Sequence, residues 1–255
     1  MQRRFDGRRV LVTGAGSGIG RGIVHRLLSE GATLAAADIS EPGLKETADA
    51  VEADARARLH TTIVDVSDAD SVRAGSVAAI EFLGGLDVLV NAAGIHRAAH
   101  THDMPLAAWN QVIGVNLTGT FLMIQAAIPH LLAGHHPVIV NFSSTAAFGA
   151  HPYMAAYSAS KGGVTAMTHA IALEYAKQGL RAVNIVPGGI TSGITSNLAV
   201  PEDTDWSLFA RLTGWLDGGA LGNPEDIAGV VAMVASDEGR YITGSEIRVD
   251  GGALM

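Results

Sequence analysis

Cysteine is absent from the 255 residues, which excludes disulfides, a thiol nucleophile and a Cys-ligated metal centre. Positive charge is scarce: 17 Lys and Arg stand against 25 Asp and Glu, a formal net charge of −8. A nucleic acid or an anionic membrane surface needs a basic face, so neither is expected as a partner. Long apolar runs are scarce too, and no stretch is expected to reach the ~18 residues of a membrane span. Near the N-terminus the apolar run VLV breaks at Thr13-Gly14, too short for the core of a signal peptide. The expectation is a soluble, cytoplasmic protein. There is no fixed-period repeat, low-complexity tract, linker or HExxH pattern.

What remains is 48% hydrophobic and carries 31 glycines, enough for one large α/β domain spanning 1–255. Short apolar runs alternate with helical patterns throughout. Strands are expected at Arg8 to Val12, at TLAAAD ending on Asp38, and at Leu59 to Val64. More follow at Leu86 to Val90, Val138 to Phe142, Leu180 to Val186 and Glu246 to Val249. Long helices are expected from Leu106 to Leu132 and from about Met154 to Lys177, and another from Pro224 to Ser236. Strand–helix alternation implies a doubly wound, Rossmann-like parallel sheet with helices on both faces, whose ligands bind beyond the carboxyl ends of the strands.

The first strand runs into TGAGSGIG, Thr13 to Gly20, and then a helix. Strand, glycine turn and helix make a phosphate cradle: Gly14 permits the turn, and Gly18 and Gly20 let a pyrophosphate approach. Ser17 and Ile19 complete that loop, and Ser17 offers no cation for a 2′-phosphate. Asp38 lies 38 − 20 = 18 residues past Gly20, where a carboxylate accepts hydrogen bonds from an adenosine ribose and repels a 2′-phosphate. NAD is therefore the expected cofactor; the competing reading of Asp38 is a helix cap. Asp65, followed by Val66, ends the third strand and is expected to face adenine. Asn91-Ala92-Ala93-Gly94 ends the fourth, its small residues letting the backbone pass close to the cofactor.

Tyr157 and Lys161 are four apart and share a helix face. A cation within ~4–6 Å favours a phenolate and lowers the tyrosine pKa from its usual value near ~10. Ser144, thirteen positions before Tyr157, is placed to offer its hydroxyl to the same reacting oxygen. Asn116, in an apolar helix, either holds an ordered water and bends the helix or is a satisfied core amide.

In order and spacing, TGAGSGIG, Asp65-Val66, NAAG, Asn116, the serine pair, YSASK, Pro187-Gly188 and the terminal VDGG resemble the short-chain dehydrogenase/reductase family over essentially the whole chain. The resemblance implies Tyr157 as acid/base, Lys161 on the nicotinamide ribose, Ser144 orienting the substrate oxygen and Asn116 anchoring a relay water. It also places Pro187, Gly188, Ile190 and Ser192 on the cofactor, with Thr191 competing for the role of Ser192, and implies a homotetramer. Tyr153 is a decoy, since no lysine lies four residues on. The segment 188–220 is expected as a substrate lid, and GAL replaces a PLGR-like stretch there. NAAG stands for the usual NNAG.

His96, His100 and His102 read as solvated loop residues, and His151 as a residue within reach of substrate. Phe148, Tyr153, Trp206, Phe209 and Trp215 suggest a modest, apolar or cyclic alcohol or ketone, or else they serve core and subunit contacts. The expected function is NAD(H)-dependent interconversion of a secondary alcohol and a ketone. The rival is a non-catalytic dinucleotide-binding regulator or scaffold.

Overall fold

In the computed structural model, which describes residues 3–192 and 199–255, seven strands form one parallel sheet in the order 3-2-1-4-5-6-7. They are β1 (Arg9–Thr13), β2 (Thr33–Asp38), β3 (Leu59–Ile63), β4 (Val88–Asn91), β5 (Val138–Phe142), β6 (Arg181–Pro187) and β7 (Glu246–Val249). The main helices are α1 (Gly18–Ser29), α2 (Glu41–Asp49), α3 (Ala69–Leu83), α4 (Leu106–Ile113), α5 (Thr120–Leu131), α6 (Ala155–Glu174) and α7 (Pro224–Ala235).

Alternation along each strand sends side chains to two cores. Val10, Val12, Val88, Val90, Val138 and Val140 meet α1 and α7 on one face. Leu11, Leu89 and Ile139 meet α3 and α5 on the other. Local chemistry sets the helix starts. The Asp68 carboxylate accepts from the Asp70 and Ser71 amides at 2.8 and 2.9 Å to cap α3, and Asn223 with Asp226 closes a capping box on α7.

Several boundaries shift by one or two residues from expectation, and two of the shifts coincide with side-chain contacts. β1 starts at Arg9; the Arg8 guanidinium is drawn to Asp237, the His136 carbonyl and the Ala235 carbonyl at the end of α7. β4 starts at Val88 because the Asp87 carboxylate accepts the Arg9 and His135 amides at 2.9 and 2.7 Å.

The helix expected from Leu106 to Leu132 is interrupted by a π-turn at Gly114–Gly119. By length and composition the 26 residues of Leu106–Leu131 are apolar enough to cross a membrane, contrary to the sequence reading. Polar Asn110, Gln111 and Asn116 interrupt the run, and α3 and α6 pack against it.

The carboxyl ends of β1, β4, β5 and β6 carry Thr13, Asn91, Asn141 and Asn184 in register. All three asparagines lie on the sheet face that α5 and α6 cover. Asn91 Nδ2 donates to Asn141 Oδ1 (2.9 Å), Asn141 Nδ2 to Thr168 Oγ1 (2.8 Å), and Thr168 Oγ1 meets Asn184 Oδ1 (2.9 Å). This buried ladder ties the sheet to the helix that carries Tyr157 and Lys161.

Candidate active site

A cleft of about 770 Å³ opens above the strand ends. Its wall includes Gly14, Ser17, Gly18, Ile19, Gly20, Asp38, Asp65, Val66, Ala92, Gly94 and Ser192. The turn is made of close backbone approaches. A Cβ on Gly14, whose φ is +67°, would lie 2.6 Å from the Ala93 amide, and one on Gly20 would lie 2.0 Å from the Gly14 carbonyl.

The Asp38 carboxylate accepts from the Gly16 amide and the Ser40 amide, both at 2.8 Å. These bonds fix it at the lip and leave lone pairs for further donors. Ser40, rather than Asp38, caps α2, accepting from the Gly43 amide at 3.1 Å. Asp65 accepts from the Ser67 amide (2.9 Å) and hydroxyl (2.7 Å). Arg21, the cation tied to this loop, spends its guanidinium on the Gly16 and Gly43 carbonyls, Thr47 and Glu46.

Not every residue singled out in the sequence reaches the wall. Asn91 lies beneath it in the polar ladder, its Oδ1 buried without a partner. Gly188 donates to Val249 O at 3.0 Å, and a Cβ there would meet Asp250 Cα at 2.8 Å. Pro187 ends β6, and Ile190 is buried opposite Gly222. Among the described residues the wall also takes in Ile39, Asn110 and Gln111, which the sequence reading missed. Ile39, 65% exposed directly after Asp38, is the one with a legible signal: an apolar side chain left in water at a strand end. Part of the expected lid, residues 193–198, lies outside the described residues.

At the inner end, Gly94 joins the cleft to a second cluster: a Cβ there would be 3.4 Å from Asn116 Oδ1 and 3.7 Å from Lys161 Nζ. Helix α6 places half-buried Tyr157 one turn before buried Lys161, whose Nζ sits 5.7 Å from the phenol ring centroid. Ser144 Oγ accepts from the Ala146 amide at 3.1 Å and interacts with the Tyr157 hydroxyl. Ser143 turns away, sharing a 2.7 Å hydrogen bond with Thr165.

Asn116 Nδ2 donates to Ile95 O (2.8 Å) and Ser160 Oγ (3.1 Å), and its Oδ1 accepts from Ile95 N (2.8 Å). The helix is deformed at Asn116, and the amide is satisfied by protein. Both of its hydrogens are spent, so a water there would find acceptors only.

The electrostatics differ from the sequence expectation. Burial pushes the Tyr157 phenol above its ordinary value, with the Ser144 hydroxyl opposing that shift. Desolvation also lowers Lys161 to about 8, its Nζ donating to Phe142 O at 2.8 Å. Burial therefore outweighs the expected pull of the ammonium on the phenol, and both groups are biased towards neutrality.

The histidines divide. His100 pairs with Asp203 at 2.8 Å and stands edge-on to Tyr153; His102 is exposed beside Asp103. His151 is held at both nitrogens, by Gly149 O (3.2 Å) and Thr145 Oγ1 (3.3 Å). His96, expected in solvent, is half-buried against Tyr157. Tyr153 accepts from the Asp205 amide (3.0 Å) and stacks on Phe209. Trp206 and Trp215 are 64% and 75% exposed, so neither is core. The Phe148 ring lies under Arg248.

A serine, a half-buried tyrosine and a buried lysine at the inner end of a glycine-turn cleft form a proton-transfer site beside a dinucleotide cradle. Comparison with known proteins decides the family: residues 8–203 match the short chain dehydrogenase model. The chain belongs to the short-chain dehydrogenase/reductase family. It is 36% identical over 252 residues to 2-(S)-hydroxypropyl-CoM dehydrogenase 3 of Xanthobacter autotrophicus, covering 99% of this chain and 98% of that one. It is 38% identical over 254 residues to 3beta-hydroxysteroid dehydrogenase 1 of Eggerthella lenta, covering 98% and 95%. A short chain dehydrogenase of Burkholderia cenocepacia in complex with NADP superposes with a TM-score of 0.88 at 31% identity, covering 99% and 100%. This short-chain dehydrogenase/reductase is thus an oxidoreductase of CH–OH groups that uses a nicotinamide dinucleotide.

Proposed function

We propose that the protein interconverts a secondary alcohol and a ketone with NAD(H), Tyr157 acting as the acid/base. The observation that carries this reading is the meeting of Ser144 with Tyr157 beside Lys161, at the point where Gly94 ends the cleft. The dinucleotide, when bound, supplies hydride to the carbonyl carbon or accepts it from the carbinol carbon.

In reduction Tyr157 donates its proton to the carbonyl oxygen; in oxidation it takes the proton from the alcohol oxygen. The Ser144 hydroxyl orients that oxygen. Lys161 has three donor hydrogens, and one goes to Phe142 O, which leaves two for ribose hydroxyls. Asn116 holds the Ile95 backbone against α6 through Ser160 and leaves acceptors for a relay water.

Asp38 supports NAD over NADP. Its charge is fixed at the lip by two amides, and Arg21 is committed elsewhere, so a 2′-phosphate meets repulsion without a cation. The Burkholderia neighbour, in complex with NADP, makes this a point to be measured. Both named relatives carry hydroxyl substrates in their names, which supports a secondary alcohol here. Leu106, Phe121 and Leu173 stand exposed on α4, α5 and α6 and support assembly, in our reading a homotetramer. A lid across 188–220 and a cytoplasmic setting complete the proposal.

The test is NADH absorbance during incubation with a panel of secondary alcohols and ketones, with each cofactor in turn. Turnover with NAD(H) that vanishes in Tyr157→Phe supports the reading. Turnover preserved in that variant would refute the assignment of Tyr157.

A further inference from the structure

His96 lies two residues past Gly94, where the cleft meets the catalytic cluster. Its ring stands edge-on to that of Tyr157, with centroids 5.4 Å apart and planes at 67°. The polar groups nearby are largely committed: Asn116 to Ile95 and Ser160, His151 to Gly149 and Thr145. The His151 tautomer follows from its partners. A carbonyl only accepts, so Nδ1 carries the proton toward Gly149 and Nε2 accepts from Thr145. Among the described residues, His96 has no ring hydrogen bond to another residue.

We propose that His96 determines substrate choice by hydrogen-bonding a second oxygen of the substrate, a hydroxyl or carbonyl on a carbon adjacent or next-but-one to the reacting carbinol. This rests on Tyr157 meeting the reacting oxygen. The two rings are in contact, so an oxygen that reaches His96 belongs to a neighbouring carbon. Burial, with the nearby charge of Arg97, holds the imidazole pKa below its usual value against the opposing pull of its own backbone carbonyl. A neutral imidazole presents one donor and one acceptor, which matches a hydroxyl or carbonyl and gives no ion pair to a carboxylate or phosphate. An apolar substrate laid over His96 would strip its nitrogens of water and return nothing. Such a mismatch is worth roughly 10–100-fold in selection.

The experiment measures kcat/KM with NAD+ for matched pairs: cyclohexanol against its vicinal diol, and secondary butanol against vicinal butanediol. Wild-type protein is expected to favour each diol by roughly 10–100-fold. His96→Phe keeps the ring contact and removes both nitrogens; the diol should lose at least about ten times more kcat/KM than its partner, mostly in KM. His96→Asn restores a donor and an acceptor and should recover part of the preference. Wild-type turnover of the monoalcohols without preference for the diols overturns this inference and leaves the oxidoreductase reading standing. Equal losses on both members of each pair in His96→Phe would also overturn it, because His96 would then act on Tyr157. Failure of the wild type on every alcohol refutes the reading of function and the inference with it.

Discussion

The two ends of the cleft work by different means. At the nucleotide end the surface is largely backbone: a glycine turn in which main chain fills the Cβ positions of Gly14 and Gly20, and carboxylates pinned by amides. Nothing there has to change its protonation to do its work. At the inner end the surface is side chain, and burial has shifted the balance of each titratable group toward its neutral form. Recognition at the first end is a matter of shape and fixed dipoles. Chemistry at the second depends on how much desolvation each group suffers.

The largest effect should come from Tyr157→Phe, which removes one oxygen from the inner end alone. Its kcat should fall by about 10²–10⁴-fold, while NADH binding, read by fluorescence, stays intact. Lys161→Met spans both ends. It should lower kcat by about 10²-fold and weaken NADH binding as well. At pH 7 it should also raise Tm.

The direction of that stability change follows from the depressed lysine pKa. In the folded protein Lys161 titrates at about 8, against 10.5 unperturbed. Below pH 8 the lysine is charged in both states but only the fold buries that charge, and this penalty fades between pH 8 and about 10.5. Removing the charge should gain about 1–2 kcal/mol net of the lost bond to Phe142 O, or several degrees in Tm, with the gain vanishing at high pH. A lower Tm for Lys161→Met at pH 7 would contradict the desolvation argument.

Asp38→Ala tests the nucleotide end. The ratio of kcat/KM for NAD over NADP should fall by about 10–100-fold, because the repulsive element is gone. An unchanged ratio would show that some other group discriminates. The smallest effect is expected from Thr168→Val, beneath both ends. It leaves Asn141 Nδ2 and Asn184 Oδ1 without their hydroxyl partner, at a cost of about 1–3 kcal/mol in denaturant unfolding with the catalytic groups untouched.

The nucleotide end was more legible in the sequence than the inner end, for a physical reason. A tight turn demands glycine at fixed positions, so Gly14 and Gly20 write their geometry into the chain. The parallel, doubly wound sheet followed likewise from the alternation of apolar runs and helices, whereas the order of its strands carries no local mark. The break in the long helix at Gly114–Gly119 was foreseen only as a bend at Asn116, because a π-turn has no compositional mark. Spacing identified Tyr157 and Lys161 as neighbours but misjudged their electrostatics, since a four-residue interval says nothing about burial. The same gap hid His96. Its place two residues past Gly94 was visible, but its contact with Tyr157 depends on how the β4 loop folds back over α6. Asn91 was read only as part of a segment whose backbone passes the cofactor, and the burial of its side chain in the polar ladder depends on the pleat, which spacing does not show.

Whether burial or the neighbouring ammonium governs the catalytic phenol can be measured directly. Ultraviolet difference titration of cofactor-free wild type against Tyr157→Phe reports the ionisation of that one tyrosine. Burial raises its pKa above the ordinary 10.0, so the two proteins should show no difference up to about pH 10. A difference of one tyrosinate with a midpoint well below the ordinary 10.0 would mean that Lys161 outweighs desolvation, and that the inner end is poised as a base.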